Sequence, residues 1–212
     1  MAKADFGVLS PFTGKVGTVE GYIRRGQLVI RKVKNLKKVY PATEKQLAQR
    51  MKFRLVSDFT REITEFVRTG FENKTIGTTQ TANNLAKSHQ MKYAVQGKYP
   101  NFSIDYSQVL LSSGDLKMSK DLKVSRNEEG ASFSWVFNRE QENPTDQVMI
   151  MIYPANQLYP IYEVSGARRS EEIHNVPVPE IYTGAVVHCY ISFISDNRKR
   201  IASSVYLGEI KM

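Results

Sequence analysis

Val187–Ser195 reads VHCYISFIS. Val187, Cys189, Ile191 and Phe193 alternate with polar or smaller residues, so one face of a long strand is apolar. Working outward, Phe133, Trp135 and Phe137 share one face of an earlier strand. Val148–Tyr153 (VMIMIY) is apolar without a break. Ile161–Val164 and Ile173–Val178 are short strands, the second weakened at its end by Pro177 and Pro179. Asp196-Asn197 turns the chain toward a last strand near Ile201–Ile210. About seven short strands with turn signals between them predict an antiparallel β-sandwich after residue 121.

An antiparallel sandwich leaves one face of each sheet wet. Val148–Tyr153 has no polar face, so something covers its second side. Either the N-terminal region does so, or Met149, Met151 and Tyr153 form an adaptable contact with another subunit.

The N-terminal part has a different pattern. Lys15–Ile23 and Gln27–Lys34 predict a β-hairpin, with Gly26 supplying positive φ in a three-residue loop. Gly17 and Gly21 then fall on one strand face, where another backbone or a helix packs closely. Leu47, Met51, Leu55, Phe59, Ile63 and Phe66 recur every three or four residues and predict a helix from Thr43, stopped near Gly70. A second helix is expected over Thr81–Gln96, capped by Gly97 and ended by Pro100. The two pack antiparallel, or one covers the hairpin. Phe102, Ile104 and Tyr106 alternate as a half-buried strand, and the polar stretch Ser112–Asp121 is the expected boundary. The expected division is 1–115 (hairpin, helices, strand) and 116–212 (sandwich), in an α+β fold.

The 212 residues carry a net charge of +9, with 41% hydrophobic residues. Mean hydropathy is −0.39. The first 60 residues hold thirteen Lys/Arg and four Asp/Glu, and the remainder is balanced. Arg24, Arg25, Arg31, Lys32, Lys34, Lys37 and Lys38 form a run without an acid, flanked by Tyr22 and Tyr40. Such a run attracts phosphates, an acidic protein or an anionic surface. It equally suits a sheet edge kept unpaired by charge. Leu28, Ile30 and Val33, interleaved with the cations, suggest a strand that also packs on something.

Catalytic signals are missing from the sequence. GKVGTVEG (residues 14–21) lacks the Lys-Ser/Thr of a phosphate loop, and no GxSxG or HExxH occurs. A single cysteine, Cys189, excludes an internal disulfide and faces inward on its strand. His89 is expected at a helix packing boundary, His174 at the surface, and His188 at the surface or an interface. Glu128-Glu129 and Glu171-Glu172 read as solvated loops. No catalytic residue, metal site or cofactor is expected, and no small-molecule substrate. The longest apolar run is far shorter than the ~20 residues that span a bilayer, and no leader is visible, so no membrane partner and a cytoplasmic or virion location are expected.

Two resemblances add to this. Asp121–Trp135 (DLKVSRNEEGASFSW) resembles the opening of a fibronectin type III domain, where a second strand carries a core tryptophan, and Val187–Ser195 resembles its long strand near the end. Gly14–Val19 (GKVGTV), Gln46–Phe53 (QLAQRMKF), Tyr99–Gly114 (YPNFSIDYSQVLLSSG) and Ser204–Gly208 (SVYLG) resemble, along most of the chain, a family of uncharacterised Bacteroidota proteins known only as a domain of unknown function. These likenesses imply a hairpin-plus-helices region joined to a fibronectin type III/Ig-like sandwich, and no activity. The expected function is a non-enzymatic structural or interaction protein. It would act by self-association as a homo-oligomer or in a larger assembly, such as a phage- or mobile-element-related component. The alternative is sequence-independent nucleic acid binding through the basic hairpin.

Overall fold

A computed structural model describes residues 3–4, 12–24, 26–33, 41–156 and 158–212. It forms two compact units, Met1–Thr43 and Glu44–Met212. The first unit holds an antiparallel sheet in the order β1 (Lys3–Ala4), β2 (Phe12–Val16), β3 (Val19–Arg24), β4 (Gln27–Lys32). The arm expected over Lys15–Ile23 is two strands. Gly17 takes φ +58° and, with Thr18, turns the chain so that Val16 pairs with Val19. A two-residue hairpin connection needs positive φ, which glycine adopts without strain. Gly17 and Gly21 therefore do not share one strand. The close approach expected at Gly21 is real: a Cβ there would lie 2.4 Å from the Phe12 carbonyl oxygen. Gly26 takes the expected positive φ, at +78°, but Arg24 belongs to β3 and pairs with Gln27, so the connection is shorter than the three-residue loop expected.

The second unit begins with three helices, α1 (Glu44–Glu62), α2 (Thr64–Thr75) and α3 (Ala82–His89). The apolar stripe is buried only from its middle onward, at Phe59, Ile63 and Phe66, while Leu47 and Met51 stay exposed. Gly70 is not a stop. It lies inside α2, where a Cβ would come 2.3 Å from the Leu111 carbonyl oxygen, and its own carbonyl accepts from Ser113 N at 2.9 Å. The glycine is there to let a crossing segment touch the helix. α3 starts where expected, with Thr81 Oγ1 accepting from Asn84 N. It then widens into a π-helical turn (Gln90–Ala94) and becomes β5 (Val95–Lys98), paired with β6 (Asn101–Ile104). Gly97 is thus a hairpin residue at φ +92°, not a helix cap. Gln90, buried in the turn, exchanges hydrogen bonds with the backbone of Leu110 through both ends of its amide.

Seven strands follow: β7 (Lys120–Arg126), β8 (Gly130–Val136), β9 (Gln147–Pro154), β10 (Ile161–Glu163), β11 (Ile173–Pro177), β12 (Val186–Ile194) and β13 (Val205–Lys211). They make two antiparallel sheets, ordered β11-β8-β7 and β10-β9-β12-β13. The described residues are 28% helical and 39% strand. Ala131, Phe133 and Trp135 of the first sheet share one core with Val148, Ile150, Ile152, Val187, Cys189, Ile191 and Phe193 of the second.

The opposite parity faces the helices. Met149, Met151, Tyr190 and Ile194 pack with Phe59, Ile63, Phe66, Val67 and Leu111. Both faces of β9 are therefore covered from within the chain, which explains why VMIMIY has no wet side. The intersubunit contact expected of Met149, Met151 and Tyr153 is corrected accordingly. Met149 and Met151 are fully buried under the chain's own helices. Tyr153 packs edge-on against Phe59 and donates its hydroxyl to Glu62 at 2.6 Å. The polar stretch after Leu111 belongs to the second unit. There the Ser112 and Ser192 hydroxyls meet at 2.8 Å and both face the Ala202 carbonyl.

Candidate functional site

The basic hairpin is built by the pairing of β3 with β4, which sets Arg24 opposite Gln27, Tyr22 opposite Val29 and Glu20 opposite Arg31. Directly opposed residues share a face. The other face carries Ile23 opposite Leu28, Ile30 opposite Gly21, and Lys32 opposite Val19. The expected cationic cluster is therefore divided. Arg24 and Arg31 project on one side, and Lys32 on the other. Arg31 is also committed: its guanidinium bonds Glu20 Oε2 at 2.8 Å and lies 5.3 Å from the centre of the Tyr22 ring. Arg24 and Lys32 are exposed and make no ion pair among the described residues. Arg25, Lys34, Lys37, Lys38 and Tyr40 lie outside the described residues.

The apolar face is the less expected one. Val16, Ile23, Leu28 and Ile30 are 52%, 62%, 39% and 55% exposed. Among the described side chains of β2–β4 only Gly21 is buried. A small sheet needs one covered face to be stable in water.

A second cluster escaped the sequence reading. Arg169, in the 3₁₀ turn Arg169–Glu171 before β11, is 0% exposed. It donates from Nη1 to Asp146 at 3.0 Å and from Nη2 to the Lys117 carbonyl at 2.6 Å. Its Nε lies 3.7 Å from Glu142, and the guanidinium sits 4.2 Å from the centre of the Phe193 ring. Trp135 donates its indole N–H to the Arg169 carbonyl at 2.7 Å. Glu142 is held in turn by Ser119 and the Asn138 N–H. Burial pushes the Asp146 carboxyl up, while Arg169 pulls it down. Burial likewise pushes Arg169 down against its two carboxylates. A cavity of about 310 Å³ adjoins the cluster, with Lys117, Ser195 and Arg200 on its other walls. The arrangement ties together the loops at one end of the two sheets. GARRSEE (residues 166–172) reads as a wet polar loop, and only the folded neighbours bury one of its two arginines.

The histidines and the cysteine are part of the packing. Cys189 is fully buried, and burial pushes its thiol up to about 12. His174 accepts from Ala167 N at Nδ1 and faces Glu163 at 2.7 Å through Nε2, so it is partnered where solvent was expected. His188 is buried as well, correcting the expected surface position. Its ring stacks on Tyr106 at 3.9 Å, and the Tyr206 hydroxyl lies 2.9 Å from Nδ1. The 3₁₀ turn Tyr106–Gln108 after β6 brings Tyr106 over this strand, which strand parity alone does not reveal.

Burial pushes the His188 pKa down, with Glu209 opposing more weakly. The folded state thus takes up its proton at lower pH than the unfolded chain. Stability is expected to fall as pH drops through about 6.5, the unfolded value. Urea unfolding at pH 7.5 and 5.5 checks this. His188→Asn, which keeps an acceptor for Tyr206, is expected to narrow the difference between the two.

Among the described residues no three His, Cys, Asp or Glu side chains gather in a metal-binding group, and no helix is long and apolar enough to cross a membrane. The sequence profile of a family of unknown function, DUF6266, matches residues 11–208. The chain belongs to this family. The DUF6266 match takes in the hairpin strands β2–β4, the helices and all but the end of β13. No curated protein and no solved structure matches this DUF6266 chain.

Proposed function

We propose that this DUF6266 protein is a non-enzymatic interaction protein that works by self-association within an assembly. The observation that carries this reading is the first unit's sheet, whose aliphatic face (Val16, Ile23, Leu28 and Ile30) lies exposed among the described residues. The second unit is a rigid support: both faces of its longest apolar strand are filled. We read its two sheets as a fibronectin type III-like sandwich. Support comes from seven strands in sheets of three and four, with the single tryptophan on the second strand of the set and in the shared core. Sandwiches of this class serve as spacers and binding modules, a likeness of fold alone. Size-exclusion chromatography with light scattering is expected to give a multiple of the 24.2 kDa chain mass. A monodisperse monomer at high concentration overturns the reading.

Arg24 and Lys32, exposed and without an ion pair among the described residues, favour a second reading, sequence-independent nucleic acid binding. Phosphate contacts release counterions, so each one lost flattens the log–log salt dependence by about 0.9 on duplex DNA. Charge reversal at both positions is expected to flatten that slope by about two. No binding to duplex or single-stranded DNA even at low salt removes this reading.

A further inference from the structure

We infer that β4 is a self-pairing edge, through which two copies of this chain join their N-terminal sheets into one antiparallel sheet. The inference rests on the self-association reading and names the surface it would use.

Among the described residues β4 ends the β1-β2-β3-β4 sheet and has no neighbour on its far side. An open edge presents unpaired N–H and C=O groups that template another strand. Its sequence, QLVIRK, tests which partner fits. In a symmetric antiparallel pair centred on Val29, Val29 faces Val29 of the second copy. Leu28 then faces Ile30, and Gln27 faces Arg31. No like charges are opposed, and the apolar faces of the two sheets run together. Centring on Ile30 instead sets Leu28 against Lys32 and Val29 against Arg31. Centring between two residues turns one sheet over, because a one-residue slip exchanges the faces. One register is therefore favoured over its neighbours.

The charges tolerate this pairing. Arg31 is already held by Glu20, and its new neighbour Gln27 can accept a hydrogen bond from it. Lys32 lies opposite Gly26, at the end of the pair. The first 43 residues carry nine Lys/Arg against two Asp/Glu, so the two arms repel at long range and association strengthens with salt. Nucleic acid is the competing occupant. It makes no use of Leu28 and Ile30, and added salt weakens its binding.

Thiol cross-linking tests the register on the full-length protein. Val29→Cys places two thiols directly opposite each other across the pair, at a Cα separation of about 4.5–5.5 Å that a disulfide bridges. Cys189 is buried and its raised thiol pKa keeps it silent. Mild oxidation is expected to convert Val29→Cys to a covalent dimer of twice the chain mass. Ile23→Cys, on β3, would stand about 14 Å from its mate at ~4.8 Å per strand, and is expected to stay monomeric on denaturing gels. Leu28→Lys/Ile30→Lys is expected to halve the mass seen by light scattering, with the far-ultraviolet spectrum kept. An oligomer in which Val29→Cys fails to cross-link, or which survives the double lysine variant, overturns the β4 edge and leaves self-association standing. A wild-type monomer overturns both.

Discussion

Replacing Arg169 by alanine is expected to cost about 3–5 kcal/mol of stability, the scale for breaking a buried ion pair from one side. The guanidinium lies between Asp146 and Glu142, none of the three open to water. Without it, two carboxylates stay buried with no cation. The loss also frees the Lys117 carbonyl and the face of Phe193. Arg169→Lys is expected to recover only part, because an ammonium cannot serve Asp146 and the Lys117 carbonyl with the same planar fork. If charge imbalance dominates, Arg169→Met combined with Asp146→Asn and Glu142→Gln is more stable than Arg169→Met alone. Chemical denaturation of the four proteins measures each step. An Arg169→Ala protein as stable as the wild type would show that the cluster admits water freely and locks nothing.

Met151→Lys is expected to cost at least about 4 kcal/mol, or to prevent folding. The position is fully enclosed between β9 and the helical layer, and an ammonium there has no partner. Met151→Leu, which keeps shape and polarity, is expected to cost less than about 1.5 kcal/mol. The pair separates the two ways of covering VMIMIY. Cover by the chain's own helices predicts collapse of the melting transition in the lysine variant. Cover by another subunit would leave a stable monomer with an unchanged transition.

The strands of the second unit were legible because alternation reports burial directly: Phe133 and Trp135, then Cys189 and Ile191, lie where parity puts them. The two-faced burial of β9 was legible as a need for cover, though not as to who supplies it. Glycines were harder. Gly70 and Gly97 read as helix caps, yet each admits another backbone: Gly70 that of Leu111, distant in sequence, and Gly97 that of its own hairpin partner at Asn101. Val95 ends the second helix although Ala94 and Gln96 suit either state, since pairing with Ile104 outweighs propensity. At the candidate site, the cationic run was visible, whereas its division between two faces waited on the pairing of β3 with β4. Arg169 was out of reach, because nothing in a polar loop marks which arginine the fold will enclose.

The doubly enclosed β9 has a cost of its own. In most antiparallel strands a slip of one residue turns greasy side chains into water, and that penalty fixes the alignment. Here a slip would merely exchange one oily compartment for another. Alignment must then be enforced at the strand's two polar ends, where Asp146 meets Arg169 just before it and Tyr153 meets Glu62 near its finish. These two anchors act as stops on an otherwise slippery strand, and losing both should yield a protein that folds to more than one register.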